Sequence, residues 1–276
     1  MIETCCQFGA HGQLAGISTE PSGASRRIAN LLISAGLIPK FGPYRLYAEW
    51  ARRLAGSGFR SLRFDLGDIG DSRQAHAGLT LEKRTQLEIG AAIDHLAHSR
   101  ELDGVVLGGL CSGAEDAFRY AEHDPRVVAV VLIDPFSYRT QGWAWRHALH
   151  RLKRRSMRLL GMFESIEGDS VGVGNADAAA ATRLSYKHID HAESSRILRR
   201  LIARGVRVHF IYTGGSRDSF NHRGQLQAMF RDIDFKGLVS VDYLHFIDHT
   251  QALQADRDCL IDTIARRLAS PITTRQ

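Results

Sequence analysis

The chain has 276 residues, 44% of them hydrophobic, which is enough to bury one large core. Lys and Arg outnumber Asp and Glu by 36 to 30, a moderately basic balance that suits acidic partners or anionic substrates. It excludes little by itself, but the chain has no basic platform interleaved with aromatics and no nucleic-acid reader motif.

No apolar run reaches the roughly 18 residues that cross a bilayer. The N-terminus, MIETCCQFGAHGQ, lacks the basic and apolar regions of a secretory leader. Four cysteines, at 5, 6, 111 and 259, are too scattered for a disulfide scaffold and form no metal-binding pair. A reduced, cytoplasmic setting is expected, with no metal and no cofactor.

The chain opens on two short β-like runs, TCCQFG and GQLAGIS, read as an antiparallel hairpin. RIANLLISAG (27–36) is almost continuously apolar, the pattern of a strand buried on both faces of a parallel sheet. The loop GLIPKFGP leads to a helix, YRLYAEWARRLAGSG, closed by glycine. Strand FRSLRFDLG, helix TLEKRTQLEIGAAIDHLAHS and strand LDGVVLGGL follow, then a helix from Ser112 to Glu122. Strand RVVAVVLIDP (126–135) is stopped by Pro135. Later, helices SSRILRRLIARG, RGQLQAMFRDI and TQALQADRDCLIDTIARRLA alternate with strands VRVHFIYTGG and LVSVDYLHF. This alternation predicts a doubly wound, mostly parallel sheet of about eight strands.

One segment breaks the alternation. Between Phe136 and Phe163 lie seven Lys or Arg and no acid, with Trp145, Ala148, Leu149, Leu152, Leu159 and Leu160 at helical spacing. ESIEGDSVGVGNADAAAAT, with little to bury, follows as a loop. Residues 136–199 therefore read as a helical lid inserted into a core made of 1–135 and 200–276.

The chemistry centres on GLCSG. A nucleophile elbow turns so tightly from strand to helix that the residues two before and two after the nucleophile must be small. Centred on Cys111 these are Gly109 and Gly113; centred on Ser112 they would be Leu110 and Ala114, and Leu110 would clash. The register therefore selects Cys111 as nucleophile and leaves Ser112 to offer its backbone N–H to an oxyanion. A thiol needs a base, since it titrates near 8.5 when free. The order nucleophile, acid, base points to Asp218 in GGSRD, after strand VRVHFIY, and to His249 in DHT, after the last long strand. Asp218 alone would also suit a helix N-cap. His249 is favoured over His245 because it lies in the loop. The second oxyanion donor is expected at the Leu37 N–H, just past the turn at Gly36.

SAGLIPKFGPYRLYAEWARRLAGSGFRSLRFDLGDIGDS, GLCSGA, GGSRD and DHT together resemble the α/β-hydrolase superfamily. More closely, the GPYR loop, LRFDLGDIGDS and GLC are similar to small bacterial hydrolases associated with exosortase systems. The resemblance implies an α/β-hydrolase fold, a Cys111–Asp218–His249 triad, an oxyanion hole at Leu37 and Ser112, and a place for Arg45 at the site mouth, where it would meet an anionic group. Asp65 and Asp71 read as stabilisers of their own turn. Trp143 and Trp145 remain open between an acyl pocket, a dimer contact and the core.

A cysteine nucleophile narrows the expected reaction. An acyl-cysteine is a thioester, so acyl transfer from another thiol is close to thermoneutral, whereas transfer from an oxygen ester runs uphill. The expected function is hydrolysis or acyl transfer on a thioester or activated ester, through acyl-Cys111. The acyl group would ride on an acyl carrier protein or CoA, whose acidic surfaces suit the basic lid. Two alternatives stand beside it: a carboxylesterase of serine-hydrolase type on small oxygen esters, and a non-catalytic binding protein of the same fold.

Overall fold

The computed structural model describes residues 1–76, 78–99, 101–149 and 186–269, in which eight strands form one sheet. They are β1 (Ile2–Phe8), β2 (Leu14–Glu20), β3 (Ile28–Ile33), β4 (Arg60–Phe64), β5 (Gly104–Leu110), β6 (Val127–Ile133), β7 (Arg207–Thr213) and β8 (Val239–Leu244). Their order across the sheet is β1-β2-β4-β3-β5-β6-β7-β8. The β1–β2 hairpin and the β2–β4 pair are antiparallel; every other neighbouring pair is parallel. This is the doubly wound, mostly parallel sheet that the alternating pattern predicts.

Strands β5 and β6 at the centre are apolar throughout because helices cover them on both faces. Every residue of β5 is buried, and β6 (VVAVVLI) is buried but for one position. On one face pack α2 (Leu81–Ser99), α3 (Ser112–Ala121), α4 (His191–Arg204) and the short α5 (Gln225–Met229), through Ile89, Ile93, Phe118, Leu198 and Leu226. On the other pack α1 (Leu46–Gly56) and α6 (Gln254–Ala269), through Trp50, Leu54, Leu260 and Ile264. Helix α4 starts cleanly because the Asp190 side chain accepts the Glu193 N–H, and it ends where Gly205 takes a left-handed conformation. No helix of the described residues is long and apolar enough to cross a membrane.

Of the 136–199 segment expected as a lid, 150–185 lies outside the described residues, and with it the basic run 151–158. What is described is a helical stretch at 141–149 and the return into α4. That return is tied to α3: Arg119 donates to Glu193 at 3.1 Å and to the Tyr186 hydroxyl at 2.9 Å, and buried Glu115 accepts the Ile189 N–H at 3.0 Å.

The topology positions the site. Parallel strands β3, β5, β6, β7 and β8 all end on one edge of the sheet. Loops that follow those ends converge there, as ligand sites in open α/β sheets do.

Candidate active site

Strand β5 runs into helix α3 through a single residue, Cys111, whose backbone sits at φ 52°, ψ −121°. A side chain at such a positive φ is strained by about 1–3 kcal/mol and persists only where its surroundings hold it. Here the Cys111 N–H donates to Ile133 O at 2.8 Å, and its carbonyl accepts from the N–H groups of Ala114 and Glu115. The flanking glycines are obligatory. A Cβ at Gly109 would stand 2.4 Å from the Gly113 carbonyl carbon, and one at Gly113 would stand 2.5 Å from Ile33 O. The backbone turns at Cys111, between these two glycines.

Tyr47 of α1 braces the turn from below. Its buried hydroxyl donates to Ile33 O at 3.0 Å and accepts the Leu110 N–H at 2.9 Å, tying the ends of β3 and β5 together. Burial holds its phenol well above the usual tyrosine range. Nothing in the sequence marks this tyrosine apart from the others.

His249 lies in the loop after β8, half-buried, and lines one cavity with Cys111. Its Nδ1 is 2.8 Å from a carboxylate oxygen, which belongs to Asp134 and not to Asp218. Asp134 ends β6 at φ 44° and is 5% exposed. Oδ2 accepts from His249 Nδ1 and, at 2.5 Å, from Thr213 Oγ1; Oδ1 accepts from the Thr213 N–H at 2.7 Å and from Ser216 Oγ at 2.6 Å. Every lone pair of that carboxylate is thus committed, three of the four bonds serving to aim the fourth at His249.

The expectation that Asp218 stands behind His249 is corrected. Asp218 is exposed, beyond the tight turn Gly214–Ser216, and its backbone carbonyl accepts a 3.4 Å bond from Arg139 Nε. The reason is spatial. The His249 loop folds down onto the residues just after β7, so closely that a Cβ at Gly215 would lie 2.4 Å from His249 Cβ. A carboxylate further along that segment is carried past the imidazole, whereas one at the end of β6 lies between the elbow and β7. A signal was present in the sequence: Asp134 ends an otherwise apolar strand, where a buried charge needs a partner.

The Asp134 carboxylate, and after it the nearby Cys111 sulfur, push the His249 pKa from its ordinary 6.5 up to about 10. His245 is exposed, packs its ring near Tyr243 and stays apart from this group.

No family model matches the sequence, and no curated protein matches it. Solved structures do. An esterase from Pyrococcus furiosus superposes with a TM-score of 0.64 at 12% identity, covering 99% of this chain and 92% of its own. An α/β hydrolase from Penicillium sp. sh18 gives 0.58 at 17%, and an α/β serine hydrolase homologue from Coxiella burnetii 0.58 at 14%, each covering 97% of both chains. The chain has the α/β-hydrolase fold.

Leu37 and Ser112 both line one cavity. This cavity, of about 180 Å³, opens over the elbow, lined by Leu37, Ile38, Pro43, Leu110, Cys111 and His249 among others. The Leu37 N–H has no acceptor among the described residues, and Ser112, as the first residue of α3, has no intrahelical one. Among the described residues the lining is largely apolar, and the polar groups that could orient a ligand there are those of the elbow, His249 and Thr250.

Arg45 and the two tryptophans stand outside this cavity. Arg45, at φ 70°, is exposed between Pro43 and α1. Trp143 stacks on His147, with the Arg139 guanidinium 4.5 Å from its ring, and Trp145 is 75% exposed. Asp65 and Asp71 do bind their own turn, as read from the sequence. Both accept from the buried Lys40 ammonium, at 2.7 and 2.5 Å, and the Asp71 N–H donates to Asp65 Oδ2. Among the described residues no cluster of His, Cys, Asp and Glu could hold a metal ion.

Proposed function

We propose that the protein is a cysteine-dependent acyl hydrolase or acyltransferase, acylated on Cys111 by a thioester or activated ester. The observation that carries the proposal is the Asp134–His249–Cys111 line at the strained elbow, under a cavity with two unengaged backbone N–H groups. Asp134 takes the orienting role that the sequence reading assigned to Asp218, and the chain order nucleophile, acid, base is kept.

In this reading His249 Nε2 takes the Cys111 proton, and the thiolate attacks the acyl carbon. The carbonyl electron pair moves to oxygen, where the N–H groups of Leu37 and Ser112 stabilise it. Collapse expels the leaving thiol or alcohol, which takes its proton from His249, and acyl-Cys111 remains. Water or an acceptor nucleophile, deprotonated by His249, then attacks that thioester and returns Cys111. Asp134 holds the imidazole tautomer throughout. The acyl carrier protein or CoA expected as donor supplies a thiol leaving group, for which transfer to Cys111 is near thermoneutral.

A second reading, hydrolysis of small oxygen esters, is favoured by the esterase from Pyrococcus furiosus, whose fold this chain shares. Matched thioester and oxygen-ester substrates bearing the same acyl group separate the two by their kcat/KM.

The test of the mechanism is an intact mass after incubation with p-nitrophenyl acetate or acetyl-CoA. One acetyl adduct is expected in the wild type and in Ser112→Ala, and none in Cys111→Ala. An adduct that survives Cys111→Ala, or no adduct with any donor, overturns the proposal.

A further inference from the structure

Ser112 stands beside the nucleophile with a hydroxyl of its own, and the geometry occupies that hydroxyl elsewhere. Its Oγ accepts the Gly36 N–H at 2.8 Å, across 76 residues of chain. Gly36, at φ 56°, begins the turn that places Leu37, and the Ile38 N–H closes this turn on Ala35 O at 2.9 Å. We propose that Ser112 is a positioning residue whose hydroxyl holds the Leu37 loop in register with the elbow, so that one residue supplies one oxyanion donor and places the other.

Physical arguments converge on this. Two backbone donors act together only if both are held within about half an ångström of the oxyanion. Leu37 lies on a loop whose side chains are largely exposed, at 47% for Leu37 and 36% for Ile38, so packing alone gives it little rigidity. Its far end is anchored: the Lys40 N–H donates to Asp65 Oδ1 at 2.5 Å, and buried Lys40 pairs with Asp65. The near end is tied to the elbow by Ser112 Oγ. That bond spans from the strained turn to the loop opposite and fixes the separation of the two donors. On the acyl-Cys111 reading it also keeps the serine next to the cysteine from competing for the acyl group, its oxygen being turned to Gly36.

This inference rests on the acyl-Cys111 reading, and a pair of reactions tests it separately. Acylation by p-nitrophenyl acetate uses the oxyanion hole; alkylation by iodoacetamide uses the same thiolate and develops no oxyanion. Ser112→Ala should slow acylation by about tenfold, short of the roughly hundredfold or more that follows outright loss of a donor. KM and the alkylation rate should stay within about twofold of wild type. Ser112→Thr, which restores the hydroxyl, should recover most of the acylation rate. The proposal is overturned if Ser112→Ala acylates at the wild-type rate, if alkylation falls by the same factor, or if Ser112→Thr fails to recover. Should the alanine variant not fold, Ser112→Thr against Ser112→Val gives the same comparison at matched shape. Absence of any adduct on wild-type Cys111 would instead strike the proposed function itself.

Discussion

Asp134 and His249, 115 residues apart, meet at 2.8 Å through a carboxylate that is 5% exposed and an imidazole that is half-buried. The contact forms because β6 ends beside the elbow and the loop after β8 folds back over the end of β7. Thr213 and Ser216 satisfy the rest of the Asp134 carboxylate, so it has one direction in which to act.

The two aspartates should therefore separate sharply. Asp134→Asn turns an acceptor that fixes the His249 tautomer into an amide that does not, and acylation of Cys111 should fall by about 10³ to 10⁴. Asp218→Asn, exposed and away from the imidazole, should stay within about twofold. Burst kinetics with p-nitrophenyl acetate on both variants decides it. The reverse ranking would restore the assignment made from sequence.

The raised pKa of His249 has a definite sign in folding. A group whose pKa goes from 6.5 in the unfolded chain to about 10 in the folded one binds its proton more tightly when folded. The stability it contributes is fully present below about 6.5 and is lost as pH rises through about 10. The gap in urea midpoint between wild type and His249→Gln should thus narrow steadily from pH 6.5 to pH 10. Asp134→Asn should bring the imidazole titration, followed by NMR, back down toward the ordinary histidine range.

His209 should act in the opposite sense. It is buried on β7, with Nδ1 2.7 Å from Ser240 Oγ, and burial, then Arg207 and Arg267, lower its pKa from 6.5 to about 4. A depressed pKa means stability present above 6.5 and lost as pH falls toward 4. At 1.36 kcal/mol per unit, that loss is on the order of 3 kcal/mol. His209→Gln should flatten acid unfolding across that window, read as urea midpoints at pH 4, 5 and 7.

Gly215 tests how closely the loops are packed. An alanine Cβ would meet His249 Cβ at 2.4 Å and its backbone N at 2.9 Å, so the histidine must move. A misplacement of about 1 Å can cost on the order of 10²-fold in rate. Gly215→Ala should therefore lose acylation by about that factor while retaining a cooperative thermal transition. Gly56→Ala, at a position where a Cβ meets nothing within 4 Å, should leave the rate unchanged.

Different parts of this protein were legible to different degrees. The alternation of buried apolar runs with amphipathic helices reports local periodicity, and it predicted the sheet and its parallel core. GLCSG was readable for the same reason: the clash that excludes Leu110 as a flanking residue lies within five consecutive positions. The partner of His249 was not readable in that way. Asp134 and Asp218 both follow strands and both precede His249 in the chain; the apolar strand that Asp134 ends marks it as a charge needing a partner, but not which partner it reaches.

By itself, the amino-acid order pointed to a tight turn at GLCSG centred on Cys111 and to the loop that carries His249, because each expectation depends on backbone geometry over a few residues. Only the tertiary structure decided which carboxylate reaches His249, that Tyr47 braces the elbow and that Ser112 is tied to Gly36. Those contacts join residues 63 to 115 positions apart. They are made when strands dock side by side and their end loops converge, a relation that pattern within a single segment does not carry.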